Sequence, residues 1–238
     1  MAAKIPTPLY SKMSKIENAT HLPPAYKIRN YYTPKDVLFH NTANDCWVSY
    51  FNEVYYFTRL IQKNYSSLID PIIKAAGTDI SHWFNPDTRE PIQMIGASCT
   101  IEYYSPYGRY LHLPPLEPDS SWDASNTLPW WKNKKYCIGK LTKKVRKLRI
   151  INMLSHQDNT IEVCSEESIN EILDRFLEIN HHAASYTWKR LGKPLDMEKT
   201  LDENDIPDET FEYGELGIDE DDYVPAVHLY YNDDLTVD

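Results

Sequence analysis

Glycine is scarce, with seven in 238 residues, and the glycine-rich loops that cradle phosphates are missing with it. H-E-x-x-H and G-x-S-x-G are absent as well, which removes the usual zinc-protease and serine-hydrolase signatures. The four cysteines, Cys46, Cys99, Cys137 and Cys164, lie far apart and contain no C-x-x-C pair. Two of them fall in apolar strand patterns, so they read as buried thiols in a reducing compartment rather than as zinc ligands or disulfides. No apolar run reaches the roughly 18 to 20 residues that span a bilayer, and MAAKIPTPLYSK lacks the apolar centre of a signal peptide. The expectation is a soluble, cytoplasmic protein. Basic charge is short too: 25 Lys and Arg against 35 Asp and Glu give a net charge of −10, with a pI near 5.3. A general nucleic-acid binder needs a net basic face, so that class is disfavoured.

What charge there is comes in blocks. Lys132 to Arg149 holds nine Lys or Arg and no acid, and Asp202 to Asp222 holds eleven Asp or Glu and no base. These read as solvated faces of opposite sign that pair with each other, or as docking surfaces that set orientation in a large assembly. Residues 1–30 carry Pro6, Pro8, Pro23 and Pro24 among polar residues, with Leu9, Tyr10, Ile16 and Tyr26 scattered between. Such a stretch cannot build a core and is expected to be an extended arm lying on a partner.

From Tyr31 to Phe84 the elements follow closely. Thr33-Pro34 starts a helix over Lys35 to His40. Cys46 to Tyr50 and Val54 to Phe57 form a hairpin around Phe51-Asn52-Glu53. Thr58 caps a helix carrying Leu60 and Ile61, and Leu68, Ile69, Ile72 and Ile73 place a further apolar stripe at helical spacing. Thr100 to Tyr104 and Arg109 to Leu113 read as a hairpin around Ser105-Pro106-Tyr107-Gly108. Trp122, Trp130 and Trp131 among prolines then suggest an aromatic connector that packs on a domain or on another protein.

Further on, Arg146 to Leu154 and Thr160 to Val163 form a hairpin around Gln157-Asp158-Asn159. Ser165 caps a helix bearing Ile169, Ile172, Leu173, Phe176 and Leu177. A strand at Tyr186 to Leu191, a turn at Gly192-Lys193-Pro194 and a last strand at Ala226 to Tyr231 complete the pattern. His181-His182 looks like a metal pair, but adjacent residues face different ways, so a surface or capping role is the better reading.

Tyr31-Tyr32-Thr33-Pro34, His40-Asn41 with Asp45-Cys46-Trp47-Val48, Val54-Tyr55 with Thr58, and Ala76-Gly77-Thr78-Asp79 leading to Phe84 resemble the cytochrome b5 family. That family holds haem iron between two imidazoles. The resemblance puts the first ligand turn at Asn64-Tyr65-Ser66-Ser67 and the second at about Arg89, and neither offers a histidine. An amide is a poor iron ligand and a guanidinium is a cation, so bis-histidine electron transfer is disfavoured. Haem b is the one cofactor to weigh: Tyr65 could hold ferric iron as tyrosinate, with His82 and Met94 as the nearest downstream donors.

The segment YTWKRLGKPLDMEKTLDENDI, within the order hairpin, helix, strand, final strand, resembles the ubiquitin fold. The chain ends LYYNDDLTVD without a diglycine tail, and Lys189 stands where ubiquitin receptors grip an apolar residue. An interaction domain is implied rather than a modifier. DISHWFNPDTR, LPWW, LRIINMLS, HAASYTWK and LYYNDDLT are together similar to a ciliary family of cytochrome b5 domain-containing proteins. That resemblance implies an axonemal protein of the cytoskeleton at the radial spokes, with a haem-linked redox role in beating. Its axial pair would be a tyrosine, matched by Tyr65, and a histidine whose place is taken by Met94.

The chain is thus expected to be α+β, a cytochrome b5-like domain followed by a ubiquitin-like β-grasp domain. The expected segments are an arm at 1–30, a cytochrome b5-like domain with hairpin extension at 31–115, a Trp/Pro-rich basic connector at 116–145, and a ubiquitin-like domain with acidic loop at 146–238. The leading expectation is a non-enzymatic adaptor bound to radial-spoke and other axonemal proteins, without nucleic acid or membrane. The alternative is a haem-binding redox sensor whose iron donors come from Tyr65, Met94 and His82.

Overall fold

The computed structural model describes residues 28–64, 66–95, 101–103, 105–115, 128–219 and 222–231. The chain divides into two compact units, with the border between Leu141 and Thr142.

In the first unit, strand β1 (Tyr31–Tyr32) leads through Thr33 into helix α1 (Pro34–Leu38). The Asp36 N–H donates to Thr33 Oγ1 at 3.1 Å and the Thr33 N–H donates to the Asp36 carboxylate at 2.8 Å. That reciprocal cap, with Pro34 in the first turn, fixes where the helix starts. Strand β2 (Asn41–Thr42) is followed by the hairpin of β3 (Asp45–Tyr50) and β4 (Glu53–Tyr56). Its two-residue turn puts Phe51 and Asn52 at φ 46° and 61°, the left-handed pair whose twist matches the flanking strands.

Helices α2 (Thr58–Lys63) and α3 (Asp70–Lys74) come next, separated by a 3₁₀ turn at Ser67–Ile69. Strands β5 (Gln93–Ile95) and β6 (Ile101–Tyr103) form a small antiparallel ladder. Strand β7 (Cys137–Leu141) returns to the main sheet, whose order is β1-β7-β4-β3-β2, parallel only between β1 and β7. Side chains alternate across that sheet. Cys46, Val48, Tyr50, Tyr55 and Phe57 enter the larger core, while Trp47, Val54 and Tyr56 pack with Tyr32, Val37 and Ile138. Both faces are covered, so β3 is buried without a break from Cys46 to Tyr50.

Three sequence expectations change here. Thr58 does not cap α2; it is the first helical residue, and its Oγ1 accepts the buried Cys46 N–H at 2.9 Å. Arg109 to Leu113 is not a strand, because Tyr110 and Leu113 are both buried; a spacing of three cannot serve a period of two. The partner of Ile101–Tyr103 is instead β5. The connector at 116–145 is not a separate segment over its described part: β7 pairs with β1 and β4, and Trp130 and Trp131 pack on a domain, as the tryptophans were expected to, in the first unit's core.

The second unit runs β8 (Val145–Asn152), β9 (Asp158–Cys164), α4 (Ile169–Phe176), β10 (Tyr186–Arg190), β11 (Lys193–Pro194), α5 (Thr210–Glu215) and β12 (Ala226–Tyr231). The sheet order is β11-β10-β12-β8-β9, with β8 and β12 parallel and the other pairs antiparallel. Ser168, not Ser165, caps α4, in a reciprocal pair with Glu171. The β10–β11 turn sits on Leu191 and Gly192, at φ 48° and 81°, one residue earlier than expected. Ile169, Ile172 and Phe176 of α4 close over Leu148, Ile150, Trp188 and Val227. Arg146 pairs with Asp202 at 2.7 Å and Lys144 with Asp208, so the basic and acidic blocks do meet within this unit. Among the described residues, no helix is long and apolar enough to cross a membrane.

Candidate functional site

In the first unit, Asn64 terminates α2. Its amide Nδ2–H donates to Leu60 O at 2.9 Å and its backbone N–H to Ile61 O at 3.2 Å. The side chain is spent on the end of the helix, where the last carbonyls lack partners. Tyr65 lies outside the described residues.

Arg89 occupies a tight loop. Asn85 Oδ1 accepts the N–H groups of Asp87 and Thr88, the Arg89 N–H donates to Asn85 O at 2.8 Å, and Arg89 takes φ 56°. Its carbonyl accepts the Tyr50 hydroxyl at 3.1 Å, and its guanidinium lies 5.3 Å from the Phe51 ring centroid. This loop braces the β3–β4 turn. His82 sits on the 3₁₀ turn Ser81–Trp83, edge-on to Trp83. Met94 is 48% exposed on β5, opposite Glu102. His82 and Met94 therefore stand on separate elements, and the described residues hold no group of three or more His, Cys, Asp or Glu able to bind a metal.

The interior holds aromatic side chains instead. Trp130 packs against Phe57, Phe84, Tyr110 and Trp131 with centroids 5.1, 5.8, 5.7 and 5.3 Å away. Its indole N–H donates to Leu111 O at 3.0 Å, and its backbone N–H donates to His112 Nδ1 at 3.0 Å. Burial pushes the Tyr50 phenol up to about 12, with Glu90 and Glu53 adding to the rise against Arg89. Burial raises Tyr55 and Tyr110 further still. None of these three phenols is a ready source of phenolate. An open cleft of about 480 Å³ is lined by Val37, Ser49, Asp79, Ser81 and Leu141 among others, without imidazole, thiol, thioether or phenol. Asp79 there already accepts from the Ser49 and Ser81 hydroxyls at 2.7 and 3.0 Å. A haem gripped by two imidazoles does not fit this donor set.

The remaining candidates are quiet. Cys46 and Cys164 are buried, and burial, with Asp45 close by, pushes the Cys46 thiol up to about 12. Burial raises Cys137 as well, so these two thiols are poor nucleophiles; Cys99 lies outside the described residues. His181 and His182 are exposed at the turn after α4. Lys189 is nearly buried, its ammonium 4.9 Å from the Tyr230 ring centroid. Sequence reasoning missed His112 as the acceptor for Trp130. It also missed the buried ion pair of Glu167 and Arg175, whose i, i+8 spacing runs from ahead of the α4 cap to the last turn of the helix and carries no local signature.

Residues 33–142 match the family model described as cytochrome b5-like heme/steroid binding domain. The chain is 51% identical over 208 residues to cytochrome b5 domain-containing protein 1 of Xenopus laevis, covering 87% of this chain and 96% of that protein. The Homo sapiens protein of the same name is 47% identical over 214 residues, covering 89% and 93%. The Mus musculus protein is 46% identical over 211 residues, covering 87% and 92%. Among solved structures, a de novo design based on ubiquitin is similar over 38% of this chain and 93% of that one, at 15% identity and a TM-score of 0.28.

Proposed function

The chain belongs to the family of cytochrome b5 domain-containing protein 1, and from that footing we propose a non-enzymatic adaptor of the ciliary axoneme, docked at the radial spoke and supporting motility. The observation that carries the adaptor reading is the fate of the iron-binding positions. Asn64 is spent on a helix end and Arg89 on a loop brace, while Trp83, Tyr110, Trp130 and Trp131 are packed in the interior. What the fold retains is surface. Phe39, Phe211 and Leu216 stand 71, 70 and 72% exposed, apolar anchors of the kind that assembly contacts cover. Trp130 and Trp131 are internal and do not serve as such anchors. The strand order β9-β8-β12-β10-β11, with α4 across one face, supports reading the second unit as a ubiquitin-like β-grasp module for protein contacts.

A tagged copy in motile ciliated cells should stay with the axoneme after detergent extraction and give density at the spokes; release with the soluble matrix would overturn the proposal. The second reading, a haem-linked redox sensor, is favoured by the family model's description and by the tyrosine beside Asn64. Titration with ferric haem should give no saturable Soret shift. A saturable shift lost in Tyr65→Phe would establish the sensor instead.

A further inference from the structure

A cavity of about 160 Å³ opens in the second unit between the start of β8, the end of β10 and the segment around α5. Its volume is about five times the ~30 Å³ share of one liquid water, room for one side chain. Four cations border it: Lys144, Arg146, Lys147 and Arg190. Three have partners within the unit. Lys144 is paired with Asp208, whose carboxylate also accepts the Thr210 hydroxyl at 2.6 Å. Arg146 is held by Asp202 at 2.7 Å and by the carbonyls of Ile206 and Pro207 at 2.7 and 2.8 Å. Lys147 stands directly opposite Glu162 across the β8–β9 ladder.

Arg190 differs. Its Nη1 is sealed from solvent without a hydrogen-bond partner, while the side chain borders the cavity. A guanidinium carries five donors and a charge that cannot be shed, so a buried corner without an acceptor is a standing cost. Among the described residues, the acids that border the cavity already have partners: Asp208 as above, Glu162 across from Lys147, and Glu209 by the Tyr213 hydroxyl at 3.3 Å. Val145, Pro207, Pro225 and the tilted pair Tyr213–Tyr223, 4.6 Å between centroids, give the cavity an apolar wall.

We propose that this cavity receives an acidic side chain of a partner polypeptide, its methylenes against the Tyr213–Tyr223 wall and its carboxylate on the Arg190 guanidinium. A carboxylate matches the flat fork of a guanidinium and supplies a counter-charge to Arg190, whose Nη1 has no acceptor among the described residues, whereas a basic or neutral peptide would leave that charge uncompensated. The site is independent of the first unit and of any haem.

The full-length protein, ¹⁵N-labelled and at low salt, is titrated with N-acetyl tetraglutamate amide, with the tetraglutamine analogue and with inorganic phosphate. Tetraglutamate should shift the amides of Val145, Arg190 and Thr210 saturably, and tetraglutamine should not. Arg190→Met should bind about ten-fold more weakly or worse, the scale of a lost charged hydrogen bond, and should melt no lower than wild type. Val145→Glu, which tethers a carboxylate at the cavity wall, should abolish binding and raise the melting temperature. Equal binding of tetraglutamine, unchanged affinity in both variants, or shifts confined to other surfaces would overturn the proposal. Saturation by phosphate with tetraglutamate silent would overturn it in favour of a phosphate ligand.

Discussion

Trp130 stands edge-on to Phe57, ring centroids 5.1 Å apart and planes at 75°, so the residue that links the β3–β4 hairpin to α2 is held by one 73 positions further along the chain. The Trp130 indole also ties Leu111 into the same cluster. Trp130→Ala is therefore expected to cost the first unit about 3–5 kcal/mol, the range for losing a buried aromatic. Trp130→Phe should cost less, since it keeps a ring but not the bond to Leu111. Urea unfolding followed by circular dichroism should show the loss in one of two transitions. A change within about 0.5 kcal/mol, typical of surface sites, would return Trp130 to a connector.

Much of the fold was legible because its signals are local. Thr33-Pro34 announces α1, the paired runs around Phe51-Asn52 announce a hairpin, and Ala226–Tyr231 is a strand over the residues expected. What escaped notice depends on distant pairing. Strand β7 finds β1 in parallel and β4 in antiparallel register, and nothing in CIGKL says which strands those will be. Arg109 to Leu113 misled because Pro114-Pro115 and a glycine turn imitate a strand boundary, while Tyr110 and Leu113 point inward three residues apart. At the positions where the resemblance would put iron ligands, the sequence reads Asn64 and about Arg89, neither of them an imidazole. The work those two side chains do instead was not readable, since a helix-end bond and a loop brace exist only once the backbone is folded.

His112 makes the first unit sensitive to mild acid. It takes φ 70° and its Nδ1 accepts the Trp130 N–H, which requires neutral imidazole. Burial, with Lys135 beside it, holds its folded pKa below the ordinary 6.5. The unfolded chain therefore binds the proton first. Stability is full above 6.5, declines as pH falls below it, and levels off once the folded pKa is passed. Denaturant midpoints for the first unit should fall from pH 7.5 toward pH 5.5, in the range where carboxylates titrate little (about 3.9–4.3 unperturbed). His112→Asn tolerates the left-handed backbone and keeps an acceptor, so it should flatten that slope; an unchanged slope would assign it to another group.

Gly139 sets how closely β7 approaches β1. A Cβ there would lie 2.6 Å from Tyr32 Cε2 and 2.7 Å from Arg29 O. A ring can tilt, but a backbone carbonyl held at a strand edge cannot retreat without loosening the pairing of Tyr31 with Lys140. Gly139→Ala should cost about 1–3 kcal/mol as an overpacking change, and trypsin should cut faster after Arg29. Wild-type stability and cutting rate would show that the β1 segment yields freely.

Glu167 and Arg175 form a buried pair in the second unit, with 1 and 8% side-chain exposure. Arg175 Nε lies 2.8 Å from both Glu167 oxygens, the carboxylate also accepts the Cys164 N–H at 3.0 Å, and an Arg175 Nη contacts Cys164 Sγ at 3.2 Å. The pair joins α4 to the end of β9. Removing one charge leaves the other buried without compensation, so Glu167→Gln and Arg175→Met should each cost about 3–5 kcal/mol. The double variant leaves no orphan and should cost less than the sum, with a coupling of about 0.5–3 kcal/mol. Because the charges are shielded from ions, that coupling should change little between low and high salt, unlike that of the exposed Arg149–Asp158 pair on the same sheet. Strictly additive singles would mean that the geometry is held by packing and that the two charges do not act as a unit.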